Sequence, residues 1–315
     1  MLVDDFNAND VRPSSRVGLH ALMLTTDVTR DGGGDVGGNN GRAQTVAPGG
    51  TITYRWYAGH LALQSDGSLK ATPAEFGAVN LVSSDPIKHS NKGLVGAMII
   101  EPEGATIVED GDGDDMRASA NVTVGGATFR EFVLLFQDDL NLRTSNGAVR
   151  NLAEAEDSED SGQKGFNYRT EPLWKRMGYD ANRPLGDTRL NDYANVLSNE
   201  KVGGDPETPV FTVKAGTPVR FRLLHPGGHA RNHVFALHGH GWQESPWSLD
   251  GLKLDHNPLS EWKGVSDGIG PSSQLNLLLT NGAGGMFKAP GDYLFRNMSS
   301  FLFDGGMWGI MRVTP

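Results

Sequence analysis

The sequence predicts an all-β protein built as two sandwich domains, and three observations carry that expectation. Glycine supplies 42 of the 315 residues, about twice its ordinary share. Short runs rich in Val, Ile, Leu, Phe and Thr recur along the chain, several of them alternating apolar with polar residues. Pro-Gly, Asn-Gly or Gly-Gly pairs bound these runs, the punctuation expected of strands and tight turns. A mass of 33.8 kDa is more than one small sandwich needs and is comfortable for two cores.

The expected strands, in order, are residues 51–57 (TITYRWY), 96–100 (GAMII), 131–136 (EFVLLF), 210–213 (VFTV), 219–224 (VRFRLL), 275–279 (LNLLL) and 293–295 (YLF). Helical patterning is scarce; residues 171–177 could make a turn or two. Residues 92–102 and 305–313 resemble one another, each a Gly-hydrophobic-x-Gly turn leading into a strand. That weak repeat divides the chain into a first domain, 1–124, and a second, 125–315.

Three stretches read as loops. The acidic run at 154–162 contains no apolar residue larger than Ala, so an acidic mobile loop is expected near 153–165, either a solvated segment or a docking one. Alternating carboxylates at 110–115 invite a calcium reading. The loop lacks the Gly at its sixth position and the Glu at its twelfth, where Asn121 stands, so an acidic turn is expected. The Gly-rich run at 31–41 has no Lys-Ser or Lys-Thr after it and is not a phosphate loop.

Composition excludes several functions. Lys and Arg number 28 against 38 Asp and Glu, a net charge of -10, the wrong sign for neutralising phosphates; no nucleic-acid partner is expected. Mean hydropathy is -0.38, and no run approaches the roughly 18 apolar residues of a membrane span. Cysteine is absent, which removes disulfides, thiolate nucleophiles and every copper centre that uses a cysteine sulfur. No GxSxG or HExxH motif occurs to support a hydrolase. The opening residues have neither a basic n-region nor an apolar h-region, so no signal peptide is read in this sequence.

Histidine is the concentrated signal. His225, His229, His233, His238 and His240 fall within sixteen residues. On a strand, His238 and His240 would face the same side and could share one metal, for which imidazole suits copper or zinc. The other reading is that they hydrogen-bond loop carbonyls at the rim of the sandwich.

Residues 209–224, 237–242 (LHGHGW), 290–297 (PGDYLFRN) and 306–309 (GMWG) resemble a cupredoxin domain of the multicopper oxidases. Residues 53–58 (TYRWYA) with 93–100 (GLVGAMII) are similar to a second one. With 132–141 (FVLLFQDDLN) and 167–172 (NYRTEP), the likeness is to the large bacterial copper oxidases related to manganese oxidases, over nearly the whole chain.

The resemblance implies two Greek-key cupredoxin sandwiches and copper as the cofactor, with partial sites. Matching Gly306-Met307 to the family's closing Gly-Met retains the axial ligand Met307, but Arg296, Asn297 and Met298 replace its HCH and Leu302 replaces the later His. Matching residues 237–240 to the family's HPxHLHGH puts the type 1 histidine on His233 and a type 3 ligand on His238, while Ala236 replaces the type 2 histidine. In the first domain His20 matches the first His of a His-x-His and His89 a type 1 His, with Leu22, Ser83, Ser84 and Asp85 in other ligand places. The metal candidates are thus His20, His89, His233, His238, His240 and Met307. A trinuclear cluster needs eight imidazoles, of which the matched positions supply about two, so oxygen reduction by this chain alone is not expected.

His20 arrives after only nineteen residues, where the family places several strands. The first domain is therefore expected to lack its N-terminal strands and to be completed by another protein segment, a separate subunit or a second copy of the chain, unless it tolerates the loss. Two functions follow: a copper-binding part or subunit of an extracellular or periplasmic copper-dependent oxidase, or a non-catalytic, structural or self-assembling module that has lost its metals.

Overall fold

The structure is a computed structural model describing residues 12–26, 44–85, 88–91, 93–111, 118–140, 143–144, 147–148, 163–178, 193–227 and 232–315. The Gly-rich run at 31–41, the acidic run at 154–162 and His229 lie outside the described residues. In the first part of the chain the principal strands are β1 (Leu19–Ala21), β2 (Gly77–Ser83), β3 (Val95–Ile100), β4 (Thr106–Glu109), β5 (Ser119–Val124), β6 (Ala127–Leu140) and β7 (Gln163–Phe166). They are followed by β8 (Val210–Lys214), β9 (Val219–Leu224), β10 (His233–Leu237), β11 (Val265–Ile269), β12 (Gln274–Leu278), β13 (Gly291–Asn297) and β14 (Trp308–Thr314).

Three sheets matter. The first has the order β1-β2-β3, the second β12-β9-β6-β5-β4 with β7 added to β6, and the third β8-β14-β13-β10-β11. The β8/β14 and β6/β9 pairs are parallel, while the remaining ladders of these sheets are antiparallel. A separate hairpin, Gly59–Leu63 with Leu69–Pro73, is largely exposed.

Period-2 alternation makes the second sheet the middle layer of three. On β6, Phe132, Leu134 and Phe136 turn to a core shared with Phe211, Phe235, Phe295, Met311 and Val313 of the third sheet. Between them Val133 and Leu135 turn the opposite way and pack, with Leu224, on Ala78, Ala97 and Ile99 of the first sheet. Strand β9 alternates likewise, Phe221 and Leu223 entering the large core while Arg220 and Arg222 point toward the first sheet.

That second interface is polar where the first is aromatic. Arg222 bonds Glu131 (2.7 Å), Asn276 (2.8 Å) and Glu101, and Arg220 bridges Glu75 (2.5 Å) and Glu101 (3.6 Å). Asn276 clamps β2 by accepting from Ala78 N (2.9 Å) and donating to Phe76 O (3.1 Å). Gly77 permits the approach, since a Cβ there would stand 2.1 Å from Asn276 Oδ1.

The expected division between residues 124 and 125 falls in a hairpin: Gly125 and Gly126, with φ of 56° and 83°, turn β5 directly into β6. Positive φ at both central residues suits the tight turn between twisted strands. Strands β4 and β5, placed with the first domain on sequence grounds, therefore pair into the middle sheet. The anticipated turn of helix is Leu173–Arg176. Among the described residues no helix is long and apolar enough to cross a membrane. Asp110, in the acidic run, takes an Arg130 ion pair and a bond from Ser119 (2.8 Å); residues 112–117 are outside the description.

Candidate functional site

Five element ends converge at one end of the large core. Strand β10 opens with His233, β13 closes with Asn297, Met307 leads into β14, Asp138 lies near the end of β6, and His225 follows β9. His233, Asn297, Met307 and His225 are all 0% exposed. Cut off from bulk solvent, polar atoms there depend on buried hydrogen-bond partners.

Asn297 organises the inner half. Its Oδ1 accepts from Ser299 N (3.1 Å), which fixes the amide's orientation. Its Nδ2 then donates to His233 Nδ1 (2.8 Å) and to Met307 Sδ (3.2 Å). An imidazole accepting at Nδ1 carries its proton on Nε2, and His233 Nε2 is 3.2 Å from Asp138 Oδ2, the right geometry to donate.

Behind His233 lies a buried charge cluster. Asp138 Oδ2 is 3.9 Å from His225 Nε2, and Oδ1 is 4.0 Å from Lys164 Nζ. The His225 and His233 rings are 4.7 Å apart. Burial alone would raise the Asp138 carboxyl, but the hydrogen bond from His233 and the nearby positive charge of Lys164 outweigh it and hold it below the usual carboxylate value. Burial, reinforced by His233, pushes His225 down to about 4.

Among the described residues, Asp138, His225 and His233 are the one set of three or more His, Asp or Glu whose possible ligand atoms all lie within 4.8 Å of one another. Of the sequence candidates only His233 belongs to it. His20 Nε2 meets Ser84 Oγ at 3.1 Å. Both nitrogens of His89 are engaged, with Ser83 Oγ (2.7 Å) and Ser14 O (2.7 Å).

The strand expected to carry His238 and His240 stops at Leu237, and Gly239, with φ of 75°, bends the chain into a turn. The two imidazoles therefore do not share a face. His238 is exposed, whereas His240 is buried with its nitrogens on His238 O (3.1 Å) and Gly284 N (3.0 Å). Partial desolvation of its ring and the nearby Arg296 charge lower the pKa of His238, and burial lowers that of His240. His240 follows the rim hydrogen-bonding alternative.

No protein-family model matches the chain, and neither does any curated protein. Solved structures do. The chain superposes on a blue copper oxidase from Nitrosomonas europaea with a TM-score of 0.50 at 16% identity, covering 95% of this chain and 70% of that one. A copper nitrite reductase from the same organism gives 0.50 at 14%, covering 96% and 75%. This is the cupredoxin fold of the multicopper oxidases.

Of the residues matched by resemblance to a type 1 copper site, His233, Asn297 and Met307 come together, and they do not fit the metal. A blue copper centre requires a thiolate and two imidazoles, with a weak axial thioether. The amide of Asn297, matched by resemblance to the thiolate, holds His233 and Met307, matched to an imidazole and the axial thioether, as its own hydrogen-bond acceptors. Leu302, matched to the second imidazole, is fully buried and apolar.

Asp138 and Lys164 escaped the sequence reading. Asp138 was visible only as a carboxylate at the end of an apolar strand, and Lys164 lies just beyond the acidic run, with nothing in its neighbours to announce burial.

Proposed function

We propose that this chain is a scaffold module of the cupredoxin type, working outside the cytoplasm within a larger copper-oxidase assembly, and that it carries no blue copper centre of its own. The observation that carries this reading is the Asn297 amide spanning His233 Nδ1 and Met307 Sδ. It closes the type 1 position with two hydrogen bonds. The partner is a further protein segment or a second copy of the chain, and β1 and β3, which each pair on one side only among the described strands of the first sheet, are the edges such a partner would extend.

Adding Cu2+ to the purified chain tests the first part. No intense absorption near about 600 nm, the signature of a copper–thiolate bond, is expected, and such a band would overturn the reading. Sedimentation at micromolar concentration separates the partners, because a monomer excludes the second copy.

A second reading, a copper-binding part of an oxidase, is favoured by the Asp138, His225 and His233 set. Stoichiometric Cu2+ with a paramagnetic resonance signal lost in His225→Ala would support it.

A further inference from the structure

The Nε2 edge of His233, opposite the edge that Asn297 holds, faces a pocket with the ligand set of a metal site. Tetrahedral bonds of 2.0–2.1 Å to zinc or copper separate ligand atoms by roughly 3.4 Å. Asp138 Oδ2 lies 3.2 Å from His233 Nε2 and 3.9 Å from His225 Nε2. Two polar atoms in the pocket, His225 Nε2 and Asp138 Oδ1, are buried with no hydrogen-bond partner. Their residues' side chains are 0% and 2% exposed.

A positive charge already stands beside the carboxylate. Lys164, 1% exposed, ends 4.0 Å from Asp138 Oδ1. Its path is built into the Gly305-Gly306 pair that precedes Met307. A Cβ on Gly305 would stand 2.9 Å from Lys164 Cγ, and Gly306, at φ 114°, leaves room for Thr170, whose hydroxyl bonds Lys164 O at 2.6 Å. A divalent ion added beside Asp138 would meet this buried ammonium at close range.

We infer that Lys164 is the resident cation of a two-histidine, one-carboxylate pocket, and that the pocket binds a borderline divalent metal, Zn2+ or Cu2+, once the lysine's charge is removed. Binding moves the His233 proton from Nε2 to Nδ1, and Asn297 meets it by turning its amide over. The cost is the bonds to Ser299 N and Met307 Sδ, which a metal–imidazole bond exceeds. The inference resolves the second functional reading against native copper at this pocket. It leaves the blue-copper conclusion untouched, since that conclusion concerns the other nitrogen of His233 and is read by a different signal.

The test titrates Zn2+ into the full chain as wild type, Lys164→Met and Lys164→Met/His225→Ala, following bound metal and thermal midpoint. Lys164→Met is expected to bind one Zn2+ on the order of 100-fold more tightly than wild type, and to lose that binding without His225. One-to-one binding by the wild type that disappears in His225→Ala would overturn the inference, and so would a folded Lys164→Met that binds no better than wild type. Should Lys164→Met not fold metal-free, rescue by Zn2+ supports the inference and failure of Zn2+ to rescue overturns it. Asp138→Asn/Lys164→Met, which removes both charges, is expected to fold without metal; if it does not, the lysine acts through packing and the inference falls.

Discussion

Asn297 Nδ2 and His233 Nδ1 are joined by a 2.8 Å hydrogen bond in which the amide donates and the imidazole accepts, its direction set by Ser299 N on the amide's other arm. Asn297→Leu strands His233 Nδ1 and the Ser299 amide in a dry core. We expect a loss of about 2–4 kcal/mol in denaturant unfolding. Asn297→Asp buries a second carboxylate on His233, whose other edge already meets Asp138, and should cost no less near neutral pH. A loss under about 0.5 kcal/mol for either variant would show that the clamp does not hold this end of the core.

Restoring the missing ligands tests the spatial match. Asn297→Cys/Leu302→His places a thiolate and an imidazole beside His233 and Met307. With Cu2+ the double variant is expected to gain the band near about 600 nm that wild type lacks. Asn297→Cys alone is expected to give a weaker, unstable signal or none. A folded double variant that stays colourless would show that the four positions do not converge on a copper-sized site.

Stability should follow pH through two buried groups of opposite sign. Burial, opposed by the Arg222 charge and reinforced by Glu131, pushes Glu101 up to about 8, with Arg220 also pulling against it. A carboxyl raised in the folded state stabilises fully below its unfolded value near 4.5, and that contribution is lost as pH climbs through about 8. His225 is depressed to about 4, so its contribution is present above its unfolded value of 6.5 and lost as pH falls toward 4. Between the two carboxyl and imidazole reference values the slopes oppose. Thermal midpoints should therefore decline from pH 6.5 toward 8, and Glu101→Gln should abolish that decline.

Gly77 is where the first sheet approaches the middle one most closely. Its φ of 62° disfavours any side chain, and a Cβ would meet Asn276 Oδ1 at 2.1 Å and Arg222 Nη1 at 2.7 Å. Gly77→Ala is expected to destabilise by about 2–4 kcal/mol. A substitution that proves neutral in urea titration would mean that β2 is not pinned by Asn276.

Core and surface aromatics should part sharply. Phe235, fully buried among Phe136, Phe221 and Phe295, should cost about 3–5 kcal/mol as Ala. Phe287, 88% exposed, should change stability by no more than about 0.5 kcal/mol. Equal losses would contradict the placement of the large core.

Much of this was legible in the chain because strand periodicity is local. The runs at 131–136, 210–213, 219–224 and 293–295 each lie within a strand of the large sandwich, and Met307 and Asn297 were matched to their places by the residues around them. Other features were hidden because they depend on distant partners. Gly239 turned an apparent His-x-His strand into a bend. Asp138 gained its meaning from Lys164, His225 and His233, which approach from three other segments. The run at 51–57 reads as a strand of seven, yet only Trp56–Tyr57 pairs, with Thr25–Thr26.

Leu134 and Leu135 are consecutive residues that belong to different cores. Neither half of the molecule owns the wall between them. Severing the chain at the Gly125-Gly126 turn would strip β4 and β5 from that wall and leave each fragment with raw, greasy surface. Split products of this protein should clump rather than fold, and the intact chain should melt in a single step.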